Sequence, residues 1–173
     1  MPDLVKAKMR DIPDFPKPGI IFKDITTVIK DAEAFKHIID FFTDKLKDKN
    51  IDYIAAIESR GFIFAGPLAY NLGAGVVIIR KPGKLPADVE KVTYELEYGT
   101  DTVEIHKDAI EPGKRVVLID DLLATGGTAK AACELIEKLG GNIISIAFMV
   151  DLTFLNGKSK LPEDVDIITM VEY

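Results

Sequence analysis

Apolar and polar positions follow two different periods along this chain. From Glu33 to Lys49, Ala34, Phe35, Ile38, Ile39, Phe42 and Leu46 recur close to a helical stripe, with lysines and aspartates at most other positions. That pattern predicts a helix buried along one face. Elsewhere the apolar residues come in short continuous runs: Asp52-Tyr-Ile-Ala-Ala-Ile57, Gly75-Val-Val-Ile-Ile79 and Val116-Val-Leu-Ile119. Such runs predict strands buried on both faces of a parallel sheet. Asn142 to Val150 and Asp166 to Val171 supply two more. Phe62 to Leu72 is expected to be helical, with a kink near Gly66 and Pro67 because proline removes a backbone donor. Gly127 to Leu139 is a second such helix, stopped by Gly140-Gly141. Thr93 to Tyr98 and Thr102 to His106 alternate in polarity around Gly99-Thr-Asp101, which predicts an antiparallel ribbon projecting from the sheet. Repeated strand, helix, strand order predicts a three-layer α/β domain with a mainly parallel sheet.

Composition narrows the class. The chain has 173 residues, 47% hydrophobic and 29% charged, which fits one domain over residues 1–173 with a core that needs neither disulfide nor metal. We find no internal repeat and no interdomain linker. The single cysteine, Cys133, shares a helical face with Ala129, Ala132, Ile136 and Leu139, so a buried thiol and a reducing cytoplasm are expected. No apolar segment reaches membrane-spanning length, and Met1 to Arg10 lacks a signal-peptide core. A net charge of −6 argues against nucleic-acid or membrane-surface partners. An anionic substrate then requires a local basic patch.

The candidate chemistry lies in Val116-Val-Leu-Ile-Asp-Asp-Leu-Leu-Ala-Thr-Gly-Gly-Thr-Ala129. Asp120 and Asp121 come where the apolar run ends, and open α/β sheets bind ligands outside the carboxyl ends of their strands. Ala124, Thr125, Gly126, Gly127 and Thr128 lack bulk, so backbone N–H groups and two hydroxyls can close around an oxyanion at a helix N-terminus. The stretch reads as a clamp for a sugar phosphate. Arg80, Lys81 and Lys84, in Arg80-Lys-Pro-Gly-Lys84, form either a solvated turn or a diphosphate site, and their place at the same sheet edge favours the latter. Glu58-Ser-Arg-Gly61 adds Arg60 and a glycine that permits close backbone approach. His37 and His106 lack partners at metal-ligand spacing. The sequence has no GxxxxGK[ST], no GxGxxG after a strand and no GxSxG.

The 116–129 stretch resembles the 5-phosphoribosyl-1-pyrophosphate (PRPP) signature of type I phosphoribosyltransferases, and its Leu-Leu-Ala-Thr-Gly-Gly-Thr form is similar to the adenine phosphoribosyltransferase branch. The resemblance extends to Asp14-Phe-Pro-Lys-Pro-Gly-Ile-Ile-Phe-Lys-Asp-Ile-Thr26, Glu58-Ser-Arg-Gly-Phe62, Arg80-Lys-Pro-Gly-Lys-Leu-Pro86 and Tyr94-Glu-Leu-Glu-Tyr-Gly99. It implies an N-terminal hood mainly within 1–27, a core over about 28–173 and a flexible loop over about 81–106. The implied reaction joins adenine to PRPP, giving AMP and pyrophosphate in purine salvage, with Mg²⁺ held by substrate and water without direct protein ligands. By the same resemblance Asp120, Asp121 and residues 124–128 bind ribose and phosphate. Glu58, Ser59, Arg60, Arg80, Lys81 and Lys84 bind pyrophosphate, with a cis peptide joining Glu58 and Ser59. Phe22 and Leu122 sandwich adenine, and backbone groups near Ile21 and Lys23 read its edge; Lys23 stands where many relatives carry arginine. Glu97, beside Tyr98, becomes the candidate to exchange the adenine proton, against the plainer reading of an exposed strand glutamate. Asp120, Asp121 and Arg60 complete the expected catalytic set. A two-fold dimer follows from the same source, with Arg80 reaching a neighbour's site. Two alternatives stay open: another purine base (hypoxanthine, guanine or xanthine), or a non-catalytic PRPP-sensing regulator.

Overall fold

The computed structural model describes residues 2–96 and 99–173. It opens with a short helix α1 (Pro2–Lys8) and a hairpin of β1 (Arg10–Pro13) and β2 (Ile21–Asp24), in antiparallel register from Arg10↔Asp24 to Pro13↔Ile21. These elements occupy the segment that the resemblance assigns to a hood, and neither α1 nor β1 is long enough to announce itself in the sequence. Val5 anchors α1 in the core with no exposed surface. Asp24 locks the hairpin: it accepts hydrogen bonds from the Thr26 hydroxyl (2.7 Å), from Arg10 Nε (2.9 Å) and from the Thr26 backbone N–H (2.9 Å). Those bonds, the Thr26 hydroxyl first and then Arg10, hold its carboxyl down at about 2.

After α2 (Thr26–Ile29), Asp31 caps α3 (Ala32–Leu46) by accepting the Ala34 N–H at 3.0 Å. The predicted stripe is the buried one, with Ala34, Ile38, Phe42 and Leu46 fully covered. Each such large side chain contributes roughly 1.5–3 kcal/mol of burial. Then follow β3 (Tyr53–Ile57), α4 (Gly61–Leu72) and β4 (Gly75–Ile79). α4 continues through Pro67 and ends at Gly73, whose φ of +66° supplies the left-handed turn.

β5 (Val89–Glu95) and β6 (Thr100–His106) form the expected ribbon as a separate antiparallel pair. Both strands differ slightly from the sequence expectation: the described pairing runs from Val89↔His106 to Glu95↔Thr100, and Leu96 N–H donates to the Gly99 carbonyl at 2.9 Å. The base of the ribbon packs into the core through Val92, Val103 and Ile105. It is also tied to the end of β4 by paired backbone bonds between Arg80 and Glu104.

β7 (Arg115–Leu123), α5 (Gly127–Lys138), β8 (Asn142–Asp151), two 3₁₀ turns (Thr153–Leu155 and Gly157–Lys160) and β9 (Asp166–Glu172) complete the chain. The main sheet has order β4-β3-β7-β8-β9, with every described pairing parallel. One apolar cluster lies between the sheet and α3 and α4, and the other between the sheet and α5, giving three layers. No helix among the described residues is long and apolar enough to cross a membrane.

Candidate active site

The sheet sets the site by ending one strand early. β3 pairs with β7 only as far as Ala56↔Ile119, whereas β8 accompanies β7 to Leu123↔Asp151. Asp120 and Asp121 therefore lie inside the second half of β7, not after its end as the apolar run suggested. The ladder with β8 keeps the backbone extended while the side facing β3 opens. A cleft of about 280 Å³ occupies that opening. Glu58, Ser59, Arg60, Lys81, Asp120, Asp121, Leu122 and every residue from Ala124 to Thr128 line it, so these predicted residues converge from three separate segments.

Each segment meets the cleft for a local reason. Gly126 adopts φ +80° and turns the chain into α5, whose N-terminus has no side-chain cap and no acid in its first turn. Its leading N–H groups are thus free of side-chain acceptors, the arrangement that attracts an anion. Thr128 Oγ1 lies 3.0 Å from the Tyr94 hydroxyl, which joins the phosphate turn to the ribbon. At the start of α4, Gly61 sits against β7: a methyl group there would come within 3.1 Å of Asp120 Oδ1 and of the Ile119 carbonyl oxygen. The glycine lets Arg60 and Ser59 approach the aspartates. The Glu58–Ser59 peptide is cis, as expected.

Electrostatics are concentrated on the aspartate pair. Asp121 is 3% exposed, and Arg60 Nε lies 2.8 Å from its Oδ2, although the angle leaves that oxygen without an aligned hydrogen bond. Burial, and then the charge of Asp121, push the Asp120 carboxyl well above the usual range. Burial also raises Asp121, with Arg60 opposing it. Two carboxyls held in this way have unmet demand for hydroxyl donors and for positive charge.

The cations divide into two groups. Arg60 and Lys81 face the cleft, and Lys81 forms an ion pair with Asp101, whose carboxylate also accepts from the Tyr94 hydroxyl at 3.1 Å. Burial would lower the Lys81 ammonium, but Asp101 holds it above its ordinary value. Arg80 and Lys84 instead clasp the buried Glu58 carboxylate, at 2.6 Å from Oε2 and 3.0 Å from Oε1. Burial tends to raise that carboxyl, and the bonds from Lys84, Arg80 and the Lys81 backbone prevail and lower it. Glu58 thus orders the basic turn.

The hood reaches the same end of the sheet. The Phe22 ring centre lies 5.7 Å from the Arg60 guanidinium carbon, while Ile21 is exposed. The Lys23 side chain leaves the cleft for Asp11, at 2.8 Å, and for the face of Tyr173, at 3.9 Å. Glu97 and Tyr98 lie outside the described residues. Sequence reasoning missed Tyr94 and Asp101 as partners of the cleft residues, and Phe148 and Ile57 as apolar lining. Phe148 falls opposite Asp120 in the β7–β8 register, a placement that only the strand pairing reveals.

Comparison with known proteins agrees with this geometry. Residues 26–172 match the phosphoribosyl transferase domain model. The adenine phosphoribosyltransferase of Crocosphaera subtropica is 55% identical over 171 residues, covering 98% of this chain and 99% of that protein. The crystal structure of adenine phosphoribosyltransferase from Thermoanaerobacter pseudethanolicus superposes with a TM-score of 0.96 at 54% identity and full coverage of both chains. The Saccharomyces cerevisiae adenine phosphoribosyltransferase, solved with an imino-altritol bisphosphate and adenine, gives a TM-score of 0.93 at 42% identity, covering 98% of this chain and 97% of that one. The uncapped helix end, the paired aspartates and the full-length likeness lead to one conclusion: the chain belongs to the phosphoribosyl transferase family, in its adenine phosphoribosyltransferase branch.

Proposed function

We propose that the protein transfers the 5-phosphoribosyl group of PRPP to adenine, forming AMP and releasing pyrophosphate. One observation carries the reading: an uncapped, glycine-led helix N-terminus and a pair of cations border the same cleft, together with the buried Asp121 and the half-buried Asp120. A phosphorylated pentose bearing a diphosphate has matching chemistry. The backbone N–H groups of residues 124–128 and the Thr125 and Thr128 hydroxyls receive the 5-phosphate. Asp120 and Asp121 accept hydrogen bonds from the ribose hydroxyls. Glu58, Ser59, Arg60 and Lys81 border the diphosphate side, with Arg80 and Lys84 close behind Glu58.

As the bond to the diphosphate breaks, positive charge grows on the ribose and negative charge on the leaving oxygen. The aspartates favour the first and Arg60 and Lys81 the second, because both sets are held in place before reaction. The hard carboxylate oxygens and the open volume of the cleft fit Mg²⁺, which would neutralise diphosphate charge while keeping its waters. Adenine enters between Phe22 and Leu122, with backbone groups near Ile21 and Lys23 at its edge and Glu97 as the group that exchanges its proton. Exclusion of water from the closed site would protect the activated sugar from hydrolysis.

The assembly we infer is a homodimer. Val76 and Ile78 on edge strand β4 are exposed on the face shared with Ile54 and Ala56, beside exposed Ile63 and the 88% exposed Tyr70 of α4. These exposed apolar side chains suit a second copy, and Arg80 follows directly at the end of β4. Sedimentation tests it. The single cysteine favours a cytoplasmic setting. The test of the activity is a panel of adenine, hypoxanthine, guanine and xanthine with PRPP and Mg²⁺: AMP formation in strong preference to the other nucleotides supports the reading, and preference for another base overturns it.

A further inference from the structure

The phosphate turn does not hold its shape alone. Residues 152–160 run behind it, and the two meet backbone to backbone at Gly126 and Gly157. A methyl group on Gly126 would strike the Gly157 carbonyl oxygen, and one on Gly157 would strike the Ala124 carbonyl oxygen and come within 3.0 Å of the Leu123 side chain. Both obstacles include backbone, so no side-chain rotation relieves them. The segment is itself fixed where it begins. Leu152 N–H donates to the Leu123 carbonyl at 3.0 Å, and Thr153 N–H donates to the Tyr173 carbonyl at 3.0 Å.

Charge holds it near its other end. Asp151, 1% exposed at the end of β8, has the Lys158 ammonium 2.8 Å from Oδ2, in a geometry that leaves neither carboxylate oxygen with an aligned hydrogen bond. Lys158 also reaches Glu172 of β9 at 2.9 Å. A buried carboxylate is costly without its counter-charge, so Asp151 retains Lys158 and with it the adjacent Gly157.

Building on the proposed substrate site, we infer that Gly157 is a positioning residue for the 5-phosphate turn and that the Asp151–Lys158 pair sets its position. Gly157 touches no reacting atom. It acts through Ala124 and Gly126, whose placement aims the N–H groups of the turn at a phosphate. Displacement by even part of an ångström would misalign several hydrogen bonds to the anion together and leave the diphosphate side unaffected.

Calorimetric titration of wild type, Gly157→Ala, Lys158→Ala and Lys158→Arg with AMP, ribose 5-phosphate and pyrophosphate tests this. Gly157→Ala and Lys158→Ala are expected to weaken AMP and ribose 5-phosphate about tenfold or more, to leave pyrophosphate within about twofold, and to raise KM for PRPP more than they lower kcat. Lys158→Arg should restore binding. Should Gly157→Ala fail to fold, the two Lys158 variants carry the comparison. Wild-type-like AMP binding by folded Gly157→Ala or Lys158→Ala, or equal weakening of all three ligands, overturns the inference. Failure of wild type to bind any phosphorylated ligand would overturn the site reading itself, a separate result.

Discussion

Arg60 Nε stands 2.8 Å from Asp121 Oδ2, so the start of α4 is joined electrostatically to the end of β7 across the floor of the cleft. The same guanidinium lies near the Phe22 ring, which brings the hood into the contact. One residue therefore links the elements assigned to pyrophosphate, ribose and base.

Asp121→Asn removes the charge that Arg60 faces and that the proposed mechanism sets against a cationic ribose. We expect turnover to fall on the order of a hundredfold or more, as the loss of one preorganised electrostatic contact commonly gives. Steady-state rates near wild type would remove Asp121 from the mechanism.

Asp120→Asn should stabilise the ligand-free protein at neutral pH. Because burial and Asp121 raise the Asp120 carboxyl in the folded state, the folded protein holds its proton where the unfolded chain, with a carboxyl near the ordinary ~3.9, has lost it. Stability therefore declines as pH rises above that value, until the folded carboxyl has also ionised. Asparagine keeps an oxygen for the Asp121 N–H, which donates to Asp120 Oδ1 at 2.9 Å. A gain in stability in urea unfolding at pH 7, shrinking toward zero below pH ~4, is expected. A pH-independent difference would contradict the argument.

Cys133 is 1% exposed, and burial, followed by Glu137 and Glu134, pushes its thiol up to about 12. Almost no thiolate is present at neutral pH, so a disulfide reagent should label it only as fast as the protein opens. Rapid labelling of the native protein would refute its burial.

Glu97→Gln tests the proposed proton exchange. The single-turnover rate with adenine is expected to drop by about 10²-fold, in the range typical of a general acid–base group, while PRPP affinity stays close to wild type. An unchanged chemical step would return Glu97 to the role of an exposed strand residue.

Much of this arrangement was legible in the sequence because it rests on local patterns. The apolar runs located every strand of the main sheet, and the Gly126-Gly127 turn located the helix N-terminus that borders the cleft. What escaped depends on neighbours distant in the chain. The extension of β7 through Asp121 follows from pairing with β8, which no residue within β7 encodes. Tyr94 and Asp101 become partners of Thr128 and Lys81 only because the base of the ribbon packs beside α5. Gly157 lies in a stretch without helical or strand periodicity, and its close approach to Gly126 exists only after the sheet has aligned Leu123 with Asp151. Charge runs were similarly ambiguous: Arg80 and Lys84 face the buried Glu58, whereas Lys81 between them faces the cleft.

The most direct test of the central claim is a crystal structure with PRPP and Mg²⁺ bound. The account predicts the 5-phosphate at the N-terminus of α5 against residues 124–128, the ribose hydroxyls on Asp120 and Asp121, and the diphosphate beside Arg60 and Lys81. Ordered PRPP elsewhere, with this cleft empty, would contradict it.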